Sequence, residues 1–194
     1  MIRRVCVFCG SSPGRNPLFV QAAREVGGVI ARAGLGLVYG GGGNGMMGAV
    51  ADGALDAGGQ VTGIIPDALR RRELAHPRVA DMQVVQSMHE RKQAMADASD
   101  AFVMLPGGFG TFEEFCEVVT WSQLGMHRKP CVLLNVAGYF DRMIAMFDHA
   151  REQEFVSRAH RAIVAAVDAP TQLVQALRDY RAPPTHRWLA EEDT

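Results

Sequence analysis

The sequence predicts an α/β fold: a central, mostly parallel sheet of about seven strands with helices on both faces. Two observations carry this expectation, and a third argues against a membrane-spanning helix. Short apolar runs alternate with stretches of helical periodicity along the chain. Glycine- or serine-rich loops follow the first, second and fifth of those runs, at residues 9–14, 40–48 and 106–111. No uninterrupted apolar run approaches the roughly 20 residues that span a bilayer, although 48% of the chain is apolar.

The elements follow in order. Val5-Cys6-Val7-Phe8 reads as a buried strand, and Cys9 to Gly14 as the loop that ends it. A helix from about Pro17 to Arg32 places Phe19, Ala22, Ala23, Val26 and Ile30 on one face, with Gly34 as its C-cap. Strand two is Leu35–Tyr39. Gly40–Gly48 then opens a helix over about Met46–Ala57, closed by Gly58-Gly59. Strand three is Gln60–Ile65, stopped by Pro66, and residues 67–78 read as an irregular charged loop. Strand four is Met82–Val85. Ser87 and Glu90 form a capping box for the next helix. Strand five is Ala101–Leu105, strand six Cys131–Asn135, and strand seven falls in Ala162–Val167, with helices over Tyr139–Gln153 and Thr171–Tyr180.

At 194 residues one domain is expected, spanning residues 1–181, with 182–194 a loosely ordered tail that is acidic at its end. The net charge of −1 supplies no basic field for nucleic acid or an anionic membrane. The N-terminal apolar stretch ends at once in Gly10-Ser11-Ser12-Pro13, too short for a signal-peptide core, so a cytoplasmic location is expected. Cys6 and Cys9 lie three apart at a strand end, pointing to opposite faces, and read as buried small hydrophobes. The six histidines show no metal-binding spacing. His89 and His127 are placed near the site, and His76, His149, His160 and His186 at surface or packing positions.

The most informative stretch is Pro106-Gly107-Gly108-Phe109-Gly110-Thr111-Phe112-Glu113-Glu114. A strand enters it and a helix leaves it. Glycines let bare N–H groups face a ligand, and the helix N-terminus favours an anion, with phosphate the natural guest. Thr111 and Glu114 also match a capping box, which leaves Glu114 open to either role and puts both carboxylates in the first turn. Arg91 and Lys92 stand near another helix N-terminus, where cations oppose the helix dipole. A bound anion or a partner carboxylate would offset that cost.

Because parallel strands end on one edge, the three loops converge there. Gly43-x-Gly45-x-x-Gly48, with Asp67 further on, matches a dinucleotide fingerprint and gives one reading, a nicotinamide-dependent oxidoreductase. That fingerprint follows the second strand instead of the first, and it leaves the Arg91-Lys92 and Glu113-Glu114 pairs unexplained. A nucleoside monophosphate uses all the parts. The 106–111 loop takes its phosphate, a carboxylate stabilises the oxocarbenium-like state of N-glycosidic cleavage, and an arginine pins the substrate.

The block from Pro106 to Glu114 resembles the signature of the LOG (Lonely Guy) family, cytokinin riboside 5′-monophosphate phosphoribohydrolases often labelled lysine decarboxylases. Met88-His89-x-Arg91-Lys92, Tyr39–Gly48, Cys9-Gly10-Ser11-Ser12 and Thr120–Pro130 resemble its other blocks. The resemblance implies a Rossmann-like fold, a homodimer, and cofactor-free hydrolysis of N6-substituted AMP to free base and ribose 5-phosphate. It implies Arg91 and Glu114 as the catalytic pair. Glu73, Lys92, Gly108, Phe109, Gly110, Thr111, Phe112, Glu113 and Thr120 are expected to line the substrate site, with Ser12, Gly42 and Gly43 contributed by the other two loops. A non-catalytic nucleotide or molybdenum-cofactor carrier of the same fold is the remaining alternative.

Overall fold

The computed structural model describes residues 1–71 and 74–184. Seven strands, β1 (Arg4–Phe8), β2 (Gly36–Tyr39), β3 (Val61–Pro66), β4 (Asp81–Val85), β5 (Ala101–Met104), β6 (Cys131–Leu134) and β7 (Val164–Val167), form one sheet in the order β4-β3-β2-β1-β5-β6-β7. Every adjacent pair is parallel, so the expected mostly parallel sheet is wholly parallel. Around it lie α1 (Pro17–Arg32), α2 (Gly45–Asp56), α3 (Asp67–Arg70), α4 (Met88–Asp97), α5 (Phe109–Gln123), α6 (Asp141–Glu152), α7 (Arg158–Arg161) and α8 (Leu173–Asp179).

The two-residue period of the strands decides which helices they bury. On β1, Val5 and Val7 point with Cys9 into one core, shared with Ala23, Val26 and Ile30 of α1, Val50 and Ala54 of α2, and Leu173 and Leu177 of α8. Cys6 and Phe8 point the other way, against Met95 of α4, Phe115 and Val118 of α5, and Phe140 ahead of α6. A sheet covered on both faces must be apolar on both, which is why its strands read as unbroken hydrophobic runs. The two cysteines thus occupy opposite cores. Both are free, and burial pushes their thiols up, as the packing role requires.

Several elements differ from the sequence reading. Residues 67–71 and 74–78 are not simply a loop: Asp67–Arg70 forms α3, Asp67 pairing with Arg70 and Arg71, and Ala75 makes an antiparallel bridge to Gly42. The helix expected from Tyr139 starts at Asp141, because a 3-10 turn over Val136–Gly138 intervenes. The last helix splits into a 3-10 turn at Pro170–Gln172 and α8. Met46 and Met95 are fully buried, whereas Met88 and Met146 are exposed. Residues 185–194, most of the expected tail, lie outside the described residues, as does His186.

The strand order reverses direction between β1 and β5, and in such sheets the crevice for a ligand lies beyond the carboxyl ends at that point. The loops there touch: Gly10 N–H donates to Pro106 O at 3.1 Å, and Met47 N–H donates to Gly10 O at 3.2 Å. All three glycine-bearing loops therefore meet on one edge, as expected.

Candidate active site

Local packing, and not a side-chain cap, starts α5. Its N-cap is Gly108, in extended backbone, and Phe109 is the first helical residue. The Thr111–Glu114 capping box is therefore not formed. Thr111 lies inside the first turn and is buried. A side chain at Gly107 would stand 2.1 Å from Thr111 Oγ1 and 2.8 Å from Gly10 N. The chain at 107 is pressed between these groups, and the helix must begin directly after it. Phe112 N–H makes the first helical bond, to Gly108 O, so the N–H groups of Phe109, Gly110 and Thr111 precede the helical ladder. Around Gly108 and Gly110, no atom lies within 4 Å of where a side chain would project. The start of α5 is an open cradle of amide donors at the positive end of a helix of 15 residues.

The earlier start moves Glu113 and Glu114 into the second turn, away from the dipole end. Glu114 faces inward and meets Arg91 of α4, with Nη1 donating to Oε1 at 3.0 Å. Arg91 also donates from Nε to Ile64 O at 3.2 Å and from Nη2 to Gly40 O at 3.1 Å. One guanidinium thus ties together β3, the loop after β2, α4 and α5. Arg91 and Glu114 are 7% and 8% exposed, and burial raises the Glu114 pKa even though Arg91 pulls it down. Lys92, one residue on, reaches the opposite flank. Its Nζ donates to Glu113 and to Glu117 Oε1, the latter at 3.0 Å. The two cations at the start of α4 are balanced by carboxylates of α5, one of the two offsets expected. Glu117 was not singled out from sequence, though it stands four residues beyond Glu113 on the same helix face. Ser87 caps α4, accepting from Glu90 N–H at 3.1 Å, but the expected box is only half formed: the Glu90 carboxylate accepts from Gln86 N–H at 2.6 Å instead of from Ser87 N–H.

The glycine loop after β2 is closed onto protein. Gly43 N–H donates to Leu74 O at 2.8 Å, and His76 N–H to Gly41 O at 2.9 Å. Arg78 anchors that strap on α2 through Asp52 at 2.6 Å and Asp56 at 2.8 Å. Gly45 has φ +59, and a side chain there would stand 2.3 Å from Ser11 O. Gly43 and Gly45 of the dinucleotide fingerprint are thus engaged with the strap and with the 9–14 loop, and Gly48 packs on Gly43. Gly45→Ala is expected to destabilise the fold by about 1–3 kcal/mol, read as a lower thermal midpoint in a melt monitored by circular dichroism; an unchanged midpoint would contradict this tight seating.

The structure brings Arg91, Lys92, Glu113, Glu114 and residues Gly108 to Phe112 to one edge, with Ser12 beside Gly10 and the 40–48 loop adjacent. Gly42 and Gly43 reach that edge but face the strap. Phe109 is 92% exposed at the rim and meets Phe112 edge-on, with ring centroids 6.5 Å apart. Thr120 is not brought to the cradle. It lies six residues beyond Glu114, about 9 Å along the axis, and donates to Cys116 O. Glu73 lies outside the described residues. His127 is far from the site: it accepts Lys129 N–H, faces Val118 O and packs on Phe102, and burial holds its pKa down at about 4. With Lys129 it lines a cavity of about 1020 Å³ at the opposite, amino-terminal edge of the sheet. His89 is exposed on the first turn of α4, and His76 is buried against Asp52. Trp121 is partly buried against the core under α5. Among the described residues no three His, Cys, Asp or Glu side chains converge as a metal site.

An all-parallel sheet with a helix-start anion cradle at its switch point, and a buried Arg–Glu pair beside it, defines a Rossmann-like nucleotide-site protein. A family model described as "Possible lysine decarboxylase" matches residues 47–177. The cytokinin riboside 5′-monophosphate phosphoribohydrolase LOG3 of Arabidopsis thaliana is 45% identical over 188 residues, covering 97% of this chain and 86% of the relative. LOG2 of the same plant is 46% identical over 179 residues, covering 92% and 84%. The chain belongs to the LOG family. Among solved structures, the molybdenum cofactor carrier protein of Chlamydomonas reinhardtii aligns with a TM-score of 0.71 at 21% identity, covering 92% of this chain and 97% of that one, a likeness of fold.

Proposed function

We propose that this protein hydrolyses the N-glycosidic bond of N6-substituted adenosine 5′-monophosphates, with AMP as a further substrate, giving the free base and ribose 5-phosphate. The observation that carries this is the buried Arg91–Glu114 pair set beside the open amide cradle of α5. The phosphate sits on the helix start, which places the ribose over the next turn, where Glu114 stands. As the bond from C1′ to the base nitrogen breaks, positive charge grows on C1′ and negative charge on the base. The Glu114 carboxylate stabilises the former and orients the water that attacks C1′. That water's oxygen ends on the sugar, and its proton is carried off to the base. Of the five N–H donors of a guanidinium, three of Arg91's are held by Ile64 O, Gly40 O and Glu114. The rest remain to meet the substrate, and the rigid seat fixes both Arg91 and the carboxylate. Lys92 pairs with Glu113 and Glu117 and so offsets part of the negative charge those carboxylates would otherwise set beside the cradle.

A homodimer in the cytoplasm belongs to this proposal. Phe109 and Met88 expose apolar surface on the first turns of adjacent helices, which a second copy would cover; sedimentation velocity reads the oligomeric state. Among the described residues no helix is long and apolar enough to cross a membrane.

Liquid chromatography tests the reaction. Purified protein is incubated with isopentenyladenosine monophosphate, AMP and the matching dephosphorylated riboside. Free base from the monophosphates alone is the expected result; no base from any of them, with binding retained, would replace the enzyme with a carrier.

Acidity gives a second check. Glu114 acts as a carboxylate, and its pKa is raised by burial. Activity is therefore full at high pH and falls as pH drops through a limb above the ordinary glutamate range. The profile of kcat/KM against pH should show that limb, and the residual activity of Glu114→Gln should lack it.

A further inference from the structure

The loop after β6, which carries the Tyr139 that periodicity placed at a helix start, reaches back to the cradle. Asn135 staples it. Its Nδ2 donates to Asp141 Oδ1 at 2.7 Å, and its Oδ1 accepts Phe140 N–H at 2.7 Å. Between them Ala137 takes φ 52 and Gly138 φ 69, both left-handed, so the chain turns sharply within one 3-10 turn. The turn swings Tyr139 over the sheet edge. Its ring stands edge-on to Phe19 of α1, centroids 5.4 Å apart, and to Phe140, 4.9 Å apart. Its hydroxyl donates to Gly107 O at 2.5 Å.

That carbonyl belongs to the peptide whose N–H is Gly108's. In a planar trans peptide, the C=O of one residue and the N–H of the next point in opposite directions. Holding Gly107 O toward Tyr139 therefore turns Gly108 N–H away from it. No protein acceptor meets that N–H among the described residues, and the space beside Gly108 is open. Gly107 itself is seated against Gly10 and Thr111, but Gly108 stands in open space with no side chain to hold it, so the peptide between them relies on a hydrogen bond at Gly107 O to fix its orientation.

We propose that Tyr139 is a positioning residue for the phosphate cradle. Its hydroxyl fixes the Gly107-Gly108 peptide so that Gly108 N–H is presented to the phosphate of the substrate. The inference rests on the nucleoside monophosphate reading of the site. It assigns Tyr139 to phosphate affinity and not to bond cleavage.

Tyr139→Phe removes the hydroxyl and keeps both ring contacts, so it separates anchoring from packing. Two ligands are titrated by calorimetry into wild type and variant: ribose 5-phosphate, which carries the phosphate, and adenosine, which does not. Turnover of isopentenyladenosine monophosphate is measured alongside. The expected result is a roughly tenfold weaker Kd for ribose 5-phosphate, about 1.4 kcal/mol, with adenosine affinity and Tm unchanged. KM for the monophosphate should rise by a similar factor while kcat holds. An unchanged Kd for ribose 5-phosphate overturns the proposal. So does an equal loss for both ligands with a lowered Tm, which would make Tyr139 a packing residue. The calorimetry does not require turnover, so a wild type that binds ribose 5-phosphate through Tyr139 but releases no base would overturn the hydrolase and leave the anchor standing.

Discussion

Glu114→Gln is expected to cut base release about 10²–10⁴-fold, the range for removing a positioned acid–base group, while substrate still binds. Gln keeps the shape of Glu and an oxygen for Arg91 Nη1, so the buried seat survives. What disappears is the negative charge opposite the developing oxocarbenium ion and the oxygen that directs water. The loss should fall on kcat, because the interaction strengthens only as C1′ becomes positive. Steady-state kinetics with product detection by chromatography, paired with calorimetric binding of the monophosphate, separates the two. A variant retaining more than about a tenth of wild-type kcat would remove Glu114 from the chemical step.

Arg91→Ala should be costly in a different way, to the fold as well as to the reaction. Breaking a buried ion pair from one side leaves the other charge uncompensated, and such losses run to about 3–5 kcal/mol. Ile64 O and Gly40 O lose their donor at the same time. For a chain of this size each kcal/mol moves Tm by about 2–4 °C, so a drop on the order of 6–20 °C is expected in differential scanning calorimetry. Glu114 is already pushed toward protonation by burial, and without Arg91 that push grows. A carboxyl whose pKa is higher folded than unfolded loses stability as pH rises. The deficit of Arg91→Ala should therefore widen from acidic to alkaline buffer, and adding Glu114→Gln should recover part of it. A deficit independent of pH, or no recovery in the double variant, would show that the pair is not coupled as its geometry indicates.

Both predictions turn on a contact between residues 23 positions apart, and the sequence shows why only half of it could be read. The motif from Pro106 to Glu114 announced a strand, a glycine turn and a helix start, and Arg91-Lys92 stood out because cations at a helix N-terminus need a reason. Both readings are local. The placement of Glu114 was not. Thr111-x-x-Glu114 satisfies the pattern of a capping box, and nothing within the stretch argues against it. The helix starts three residues earlier because Gly107 is wedged between Gly10 and Thr111, and Gly10 belongs to a loop almost a hundred residues away. Likewise, the fingerprint of Gly43, Gly45 and Gly48 looked like a second nucleotide loop until the strap from 74 to 76 and Ser11 closed on it.

By itself the sequence determined the alternation of strands and helices, the two-sided burial of the sheet and the gathering of three glycine loops at one edge. These follow from period-2 and period-3.6 patterns and from the single direction in which parallel strands end. The blocks carrying the family resemblance were legible for the same reason, since each is a short continuous run. Tertiary structure alone decided that Lys92 pairs with Glu113 and Glu117, that Arg91 anchors two backbone carbonyls and Glu114, that His127 lies at the far edge, and that Tyr139 reaches Gly107. Partners of this kind are set by how helices dock and how loops turn over the sheet, geometry that no spacing within one segment encodes.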